Sequence, residues 1–128
     1  MQKAIIIDDE RLARNELRKL LQEFPDVEVI DEAANATEGI EKIDALNPDL
    51  IFLDIQMPNK NGVDFYKMLE NDPMVIFTTA YSEFAIKAFE AHAIDYLLKP
   101  FSKERFDKAM QKLQQQDSSL AAKKTEAL

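Results

Sequence analysis

The sequence predicts an α/β fold in which helices cover both faces of a parallel sheet of five strands. Short apolar runs recur about every 20 to 25 residues, and a stretch with helical period follows each run. The runs are rich in Ile, Val and Leu and do not alternate strictly with polar residues, which is typical of strands buried on both faces. The predicted strands cover residues 4–7, 27–30, 50–53, 74–77 and 94–98.

The predicted helices follow the strands one by one. The first two carry apolar stripes that end before Pro25 and Pro48. These stripes comprise Leu12, Leu17, Leu20, Leu21 and Phe24 in the first helix, and Ile40, Ile43 and Leu46 in the second. Three more helical segments cover residues 63–69, 84–89 and 101–113. In the last segment Ser102 is the expected N-cap, and Phe106, Met110 and Leu113 are expected to face inward.

The number of βα units selects the architecture. A closed barrel needs eight units and about 250 residues, so it is excluded. We therefore expect an open, doubly wound, flavodoxin-like sheet with right-handed crossovers and the strand order 2-1-3-4-5. Residues 1–116 are predicted to form this domain, and residues 117–128 to form a C-terminal tail, either as an extension of the last helix or as the start of a linker.

Composition narrows the function classes. The chain has 128 residues, no cysteine, one histidine and two glycines. Disulfide frameworks, thiolate or histidine metal sites and glycine-rich phosphate loops are therefore not expected. The formal net charge of -8 disfavours direct contact with nucleic acid. Because no apolar run is long enough for a signal peptide or a membrane span, we expect a cytoplasmic protein with no membrane contact.

Polar and charged residues follow four of the predicted strands. They are Asp8, Asp9 and Glu10 after the first strand, Asp54 after the third, Thr78 and Thr79 after the fourth, and Lys99 after the fifth. Ligands of open α/β sheets bind outside the carboxyl ends of the strands, so we expect these side chains to meet at one edge. Carboxylates that meet there repel one another, and an oxygen-only ligand set selects a hard cation such as Mg²⁺. Such a site is suited to phosphoryl transfer.

The same motifs resemble the receiver domain of bacterial two-component response regulators. The resemblance covers residues 3–113, and its markers are Asp8-Asp9, Asp54, Met57-Pro58 with Gly62, Thr79-Ala80 and Lys99-Pro100-Phe101. Residues 78–81, 88–90 and 95–101 further resemble the receivers of regulators that carry a LytTR-type DNA-binding domain. No such output domain follows within the chain.

The resemblance implies a chemical role for each marker. Asp54 would accept a phosphoryl group from a sensor histidine kinase. Mg²⁺ would be held by Asp8, Asp9, the side chain of Asp54 and the backbone carbonyl of Gln56. Thr79 and Lys99 would each contact a phosphoryl oxygen, and the Lys99–Pro100 peptide bond would be cis. The domain would assist its own phosphorylation and dephosphorylation without being a turnover enzyme.

The resemblance also implies a conformational switch. Phosphorylation would draw the Thr79 hydroxyl inward, and Tyr96 would rotate into the space behind it. This movement would change the surface formed by the fourth helix, the fifth strand and the fifth helix. A homodimer formed on phosphorylation, or another partner, would respond to that surface, and the output would be transcription.

Three other functions share part of this pattern. A haloacid-dehalogenase-like phosphatase needs an acid two residues after its nucleophile, where this chain has Gln56. A flavodoxin binds a phosphate after its first strand, where Asp8 and its acidic neighbours would repel an anion. A receiver fold used only as a constitutive interaction module stays open.

Two further residues are expected to have ordinary structural roles. Gly62 follows Asn61 in a loop whose composition suits a turn with positive φ. His92 is expected near the end of the fourth helix, where the helix dipole favours a partly exposed histidine, rather than as a phosphodonor.

Overall fold

The computed structural model describes residues 1–58, 60–81 and 93–126. Within them, a parallel sheet contains the strands β1 (Gln2–Ile7), β2 (Val27–Ala33), β3 (Leu50–Asp54), β4 (Met74–Thr79) and β5 (Asp95–Leu98). The order β2-β1-β3-β4-β5 confirms the predicted doubly wound sheet. A short antiparallel ribbon pairs Gln56–Met57 with Lys60–Asn61. The predicted helix over residues 84–89 and the residue His92 lie outside the described residues.

The described helices are α1 (Arg11–Leu21), α2 (Ala36–Leu46), α3 (Gly62–Lys67) and a C-terminal helix (Lys103–Glu126). The side chain of Asn35 caps α2, and the side chain of Asn61 caps α3. Ser102 caps the C-terminal helix as predicted, because its Oγ accepts a hydrogen bond from the Arg105 amide at 3.1 Å. This helix continues without a break through most of the predicted tail. None of the helices in the described ranges is both long and apolar enough to cross a lipid bilayer.

The sheet separates two hydrophobic cores. Side chains of β1 alternate between them, with Ile5 and Ile7 in one core and Ala4 and Ile6 in the other. The first core lies under α2 and α3. The second lies under α1 and the C-terminal helix, and it contains the three residues that were predicted to face inward, namely Phe106, Met110 and Leu113. Helices cover both faces of the sheet and leave its carboxyl edge open. The strands are parallel, so the polar residues that follow them lie together at this edge.

The inward orientation predicted for two residues of the apolar stripes is wrong. Leu12 is 77% exposed and Leu46 is 42% exposed. Leu12 lies five residues before the buried Leu17, which places it about 140° away around a helix with 3.6 residues per turn. It therefore projects to solvent from the first turn of α1, beside the carboxyl edge of the sheet.

Candidate functional site

The parallel register brings the ends of β1, β3 and β4 to one edge of the sheet. Ile7 pairs with Leu53, and Asp54 pairs with Thr78. Asp8 follows β1 directly. The exposed fraction is 1% for Asp8 and 3% for Asp54, so two acidic side chains are buried at the same edge. Buried charges of one sign require compensation by a positive charge or by a proton.

Lys99 supplies a positive charge at this edge. Its Nζ lies 2.8 Å from Oδ2 of Asp8 and 3.6 Å from Oδ2 of Asp54. Burial alone would lower the pKa of Lys99, but the hydrogen bond to Asp8 and the charges of both aspartates raise the pKa above its ordinary value. The ammonium group therefore stays protonated. The Lys99–Pro100 peptide bond is cis, as predicted.

Asp54 is subject to opposing electrostatic effects. Burial and the negative charge of Asp8 raise the pKa of Asp54 to about 7, although Lys99 and a hydrogen bond from the Gln56 amide lower it. The distance from that amide nitrogen to Oδ1 of Asp54 is 3.1 Å. A cation bound nearby would favour the ionised carboxylate, which is the nucleophilic form. Cation binding at this edge would therefore lower the pKa of Asp54.

Three acidic residues after β1 form an oxygen-rich cluster. One carboxylate oxygen each from Asp8, Asp9 and Glu10 lie within 4.8 Å of one another. Asp9 and Glu10 are exposed, so water reaches the cluster. Mg²⁺ prefers oxygen ligands and keeps several waters, and the cluster fits this preference. Glu10 thus lies beside the two predicted ligands in this turn, and the roles of Asp8, Asp9 and the Gln56 carbonyl as ligands stay predictions.

The two predicted switch residues lie on neighbouring strands. Thr79 is fully buried at the end of β4, and its Oγ1 accepts a hydrogen bond from the Tyr81 amide at 3.1 Å. Tyr96 on β5 pairs in register with Phe77 and is half-buried against the first core. The Lys99 amide donates to the carbonyl of Thr79 at 2.6 Å. This bond joins the strand of Thr79 directly to the lysine of the site.

Gly62 has a structural role, but not the predicted one. Neither glycine of the chain has a positive φ, so the expectation is wrong for Gly62, and Asn59 of the same loop lies outside the described residues. A Cβ atom at Gly62 would instead lie 2.5 Å from the carbonyl oxygen of Asp54 and 2.8 Å from Cα of Ile55. The Gly62 amide also donates to the carbonyl of Ile55 at 2.7 Å. Glycine is required because α3 begins directly against the backbone that carries Asp54.

Arg14 contacts the site and was not identified from the sequence. Its Nη1 donates to the carbonyl oxygen of Asp8 at 2.7 Å. An arginine on an amphipathic helix ordinarily points to solvent, so the residue type and its spacing carry no signal for this contact. The pairing depends on how α1 packs against the turn after β1, which only the tertiary structure gives.

The fold and the site define a class of protein. The family model for the response regulator receiver domain matches residues 4–111, and the chain belongs to this family. Receivers of this family typically bind Mg²⁺ at an acidic pocket, and the cluster of Asp8, Asp9 and Glu10 lies where such a pocket is needed. Receiver domains are generally not turnover enzymes.

Individual relatives agree with this assignment. The transcriptional regulatory protein BtsR of Escherichia coli K12 is 48% identical over 134 residues, which cover 100% of this chain and 56% of that protein. An uncharacterized response regulatory protein of Vibrio cholerae is 51% identical over 118 residues, or 91% of this chain and 50% of that protein. The chain thus spans about half the length of these curated relatives.

A solved structure gives the same result. The response regulatory domain of protein mrkE from Klebsiella pneumoniae superposes with a TM-score of 0.80 at 34% sequence identity. The superposition covers 88% of this chain and 95% of that domain. The fold of the whole receiver unit is therefore shared.

Proposed function

We propose that this domain is the phosphorylation-activated switch of a two-component system, with Asp54 as the acceptor of a phosphoryl group from a sensor histidine kinase. The observation that carries the proposal is the position of the Lys99 ammonium, 2.8 Å from Asp8 and 3.6 Å from Asp54. A carboxylate nucleophile, a fixed ammonium group and an acidic cation site are the parts that phosphoryl transfer to an aspartate requires.

Each site residue has a proposed part in the transfer. An Oδ atom of Asp54 forms a bond to phosphorus while the bond from phosphorus to the kinase imidazole breaks, and the imidazole nitrogen keeps the electron pair. Lys99 pairs with one phosphoryl oxygen, and the Thr79 hydroxyl donates to another. The proposed ligands of Mg²⁺ are Asp8, Asp9, the side chain of Asp54 and the backbone carbonyl of Gln56. When bound, Mg²⁺ neutralises negative charge on the phosphoryl oxygens.

The proposed response is a change in the surface formed by β5, the C-terminal helix and the predicted helix over residues 84–89. A phosphoryl group adds negative charge and acceptor oxygens, which draw the Thr79 hydroxyl toward Asp54. Tyr96 then rotates toward the space behind Thr79. A homodimer or another partner recognises the new surface, and the domain itself makes no contact with nucleic acid.

An open groove beside the site is proposed to receive the kinase. Its volume is about 350 Å³, and Leu12 and Phe101 line it together with Asp8 and Lys99. The groove therefore joins an exposed apolar side chain to the charged groups of the site. Such a surface suits a partner that must bring its phosphohistidine to Asp54.

The proposed output is transcription. This part of the proposal is supported by the Escherichia coli relative, whose name is transcriptional regulatory protein and of which the match covers 56%. The sequence Asp-Tyr-Leu-Leu-Lys-Pro-Phe at residues 95–101 favours a place among the receivers of LytTR-type regulators. Sequencing the gene beyond the codon for residue 128 tests this placement. The proposed location is the cytoplasm, which agrees with a chain that has no cysteine.

Intact-protein mass spectrometry after incubation with acetyl phosphate and Mg²⁺ tests the proposed chemistry. We expect a single phosphoryl adduct that is lost in Asp54→Asn and on addition of EDTA. Asp44→Asn removes an exposed carboxylate from α2 and is the matched control, which should keep the adduct. An adduct that forms equally in Asp54→Asn would contradict the proposal and favour a constitutive interaction module.

A further inference from the structure

The guanidinium group of Arg14 joins β2 to the acidic turn after β1. Its Nη1 lies 2.7 Å from the carbonyl oxygen of Asp8, and its Nε lies 2.9 Å from Oε1 of Glu32. The side chain of Arg14 is only 15% exposed and that of Glu32 only 24%. Three elements meet at this one side chain, because Arg14 belongs to α1, Glu32 to β2 and Asp8 to the turn.

Both backbone polar groups of Asp8, the amide and the carbonyl, form hydrogen bonds. Its amide donates to the carbonyl of Ala33 at 3.0 Å, and its carbonyl accepts from Arg14. That carbonyl belongs to the planar peptide group that joins Asp8 to Asp9. Arg14 therefore restrains the direction in which the chain, and with it the side chain of Asp9, leaves β1.

Glu32 orients Arg14 and also binds a second arginine. Its Oε1 accepts from Nε of Arg14, and its Oε2 accepts from Nε of Arg18. Arg18 is 43% exposed, and the contact described for it is with Glu32 rather than with Asp8. The two arginines share one carboxylate and differ in the bond to the acidic turn. Arg18 is therefore a matched control for Arg14.

We propose that Arg14, oriented by Glu32, is a positioning residue for the cation site formed by the acidic turn. The inference rests on the proposed function, because the site in question is the Mg²⁺ site of the phosphoacceptor. Residues that orient metal ligands strengthen binding without touching the ion, and their loss typically costs about tenfold or more in affinity. Arg14 acts on the backbone of the turn rather than on a ligand side chain.

Charge and position predict opposite effects of removing Arg14. The guanidinium is a positive charge beside a residue that would hold a cation, so Coulomb repulsion opposes the binding of Mg²⁺. On charge alone, loss of the guanidinium would lower the Kd for Mg²⁺. A positioning role predicts a higher Kd, because without Arg14 the turn must become ordered when the ion binds. The sign of the change in Kd separates the two effects.

Isothermal titration calorimetry with MgCl₂ provides the test. We expect Arg14→Met to raise the Kd for Mg²⁺ about tenfold. Arg14→Lys keeps the charge but has no planar fork to bind Asp8 and Glu32 together, so we expect a similar increase. Arg18→Met should change the Kd by less than about twofold, because it removes only an exposed ion pair. Melting temperatures identify any variant that does not fold, and Arg14→Lys carries the test if Arg14→Met fails to fold.

Amide hydrogen exchange in the metal-free protein, followed by NMR, gives a second readout. The Glu10 amide donates to Oδ1 of Asp8 at 2.9 Å and should exchange faster in Arg14→Met than in Arg18→Met. The inference is overturned if Arg14→Met binds Mg²⁺ as tightly as the wild type or more tightly, or if Arg18→Met weakens binding equally. A wild type that binds no Mg²⁺ and forms no adduct dependent on Asp54 would instead refute the proposed function, and the inference with it.

Discussion

Arg105 on the C-terminal helix forms a two-pronged ion pair with the buried carboxylate of Asp95 on β5. The distances are 2.8 Å from Nη1 to Oδ2 and 2.9 Å from Nη2 to Oδ1. Nη2 also donates to the carbonyl of Tyr96 at 2.8 Å, and Nζ of Lys112 lies 3.4 Å from Oδ1 of Asp95. The helix is therefore bound to the strand that carries the proposed aromatic switch.

The first prediction concerns this ion pair. We expect Arg105→Met to lower the free energy of unfolding by about 3 kcal/mol at neutral pH, because the buried carboxylate of Asp95 loses both hydrogen bonds from the guanidinium and keeps, among the described residues, Lys112 and the Tyr96 amide as partners. Urea unfolding followed by circular dichroism measures the change. Arg11→Met, which alters an exposed residue of α1, is the control and should change stability by less than about 0.5 kcal/mol.

The same ion pair has a definite pH dependence. Burial alone would raise the pKa of Asp95, but the hydrogen bonds from Arg105 and the Tyr96 amide, with the charges of Arg105 and Lys112, hold the pKa below its ordinary value. Such a group stabilises the fold above the unfolded pKa of about 4, and the contribution is lost as the pH falls through the folded pKa. The difference between the wild type and Arg105→Met should therefore shrink in acid. A difference that stays constant down to about pH 3.5 would contradict this assignment.

The second prediction concerns Asp54 in metal-free protein. Its pKa is raised to about 7 by burial and by the charge of Asp8. A carboxyl group with a raised pKa favours the fold below its unfolded pKa, and this stabilisation is lost as the pH rises from about 4 to about 7. Asp54→Asn has no carboxyl group to ionise at this position and does not lose this stabilisation. The free energy of unfolding of the variant, relative to that of the wild type, should therefore rise by about 2 kcal/mol between about pH 5 and about pH 8.

Melting temperatures in EDTA across that pH range provide the measurement. Added Mg²⁺ at the alkaline end should stabilise the wild type and have little effect on Asp54→Asn, since binding to the native state stabilises by mass action. Equal differences between the two proteins at both ends of the range would show that Asp54 keeps an ordinary pKa.

The third prediction concerns Gly62. We expect Gly62→Ala to destabilise the protein by about 2 kcal/mol, because the new Cβ meets backbone atoms of Asp54 and Ile55 that cannot move independently. It should also slow phosphorylation by acetyl phosphate, because relief of the clash displaces Asp54. Gly39→Ala is the matched control. The nearest atoms to its Cβ would be side-chain atoms, Cδ1 of Ile7 and Cζ of Phe65, both at 3.2 Å, so stability should change by less than about 1 kcal/mol.

The fourth prediction concerns the groove beside Leu12. We expect Leu12→Glu to slow phosphoryl transfer from a phosphorylated histidine kinase about tenfold, because an exposed apolar anchor of the interface is lost. Phosphorylation by acetyl phosphate should be unchanged, since this small donor needs no docking surface. Leu46→Glu alters a comparably apolar but distant residue of α2 and serves as the control. Equal rates of transfer to Leu12→Glu and Leu46→Glu would remove the groove from the docking surface.

The sheet could be predicted because its signals are local. A few neighbouring residues are enough to identify each apolar run and the helical stretch that follows it. The rules for open sheets then give the strand order. The same topology indicated that Asp8, Asp54 and Lys99 would lie close together. In the structure, Nζ of Lys99 is 2.8 Å from Asp8 and 3.6 Å from Asp54. Their chemical roles stay predictions until the adduct is measured.

The remaining contacts could not be predicted because they join residues far apart in the sequence. Arg14 and Glu32 are 18 residues apart, and Arg105 and Asp95 are 10 apart, with no periodic pattern to relate them. Gly62 suggested a turn because glycine permits positive φ, whereas its actual role is to leave space against Asp54. Leu12 was predicted to be buried because it is apolar, although its angular position around α1 makes it face solvent.

The continuous C-terminal helix fixes the angle between its two ends. Its 24 residues span about 36 Å and turn by about 100° per residue. Phe106, Met110 and Arg105 fix the near end against the sheet, so they also set the angular phase of every later turn. A slight roll of the helix at β5 is thus carried to Glu126 as the same angle, and a one-residue insertion after Gln116 would rotate the far end by about 100° without altering a single contact at the near end.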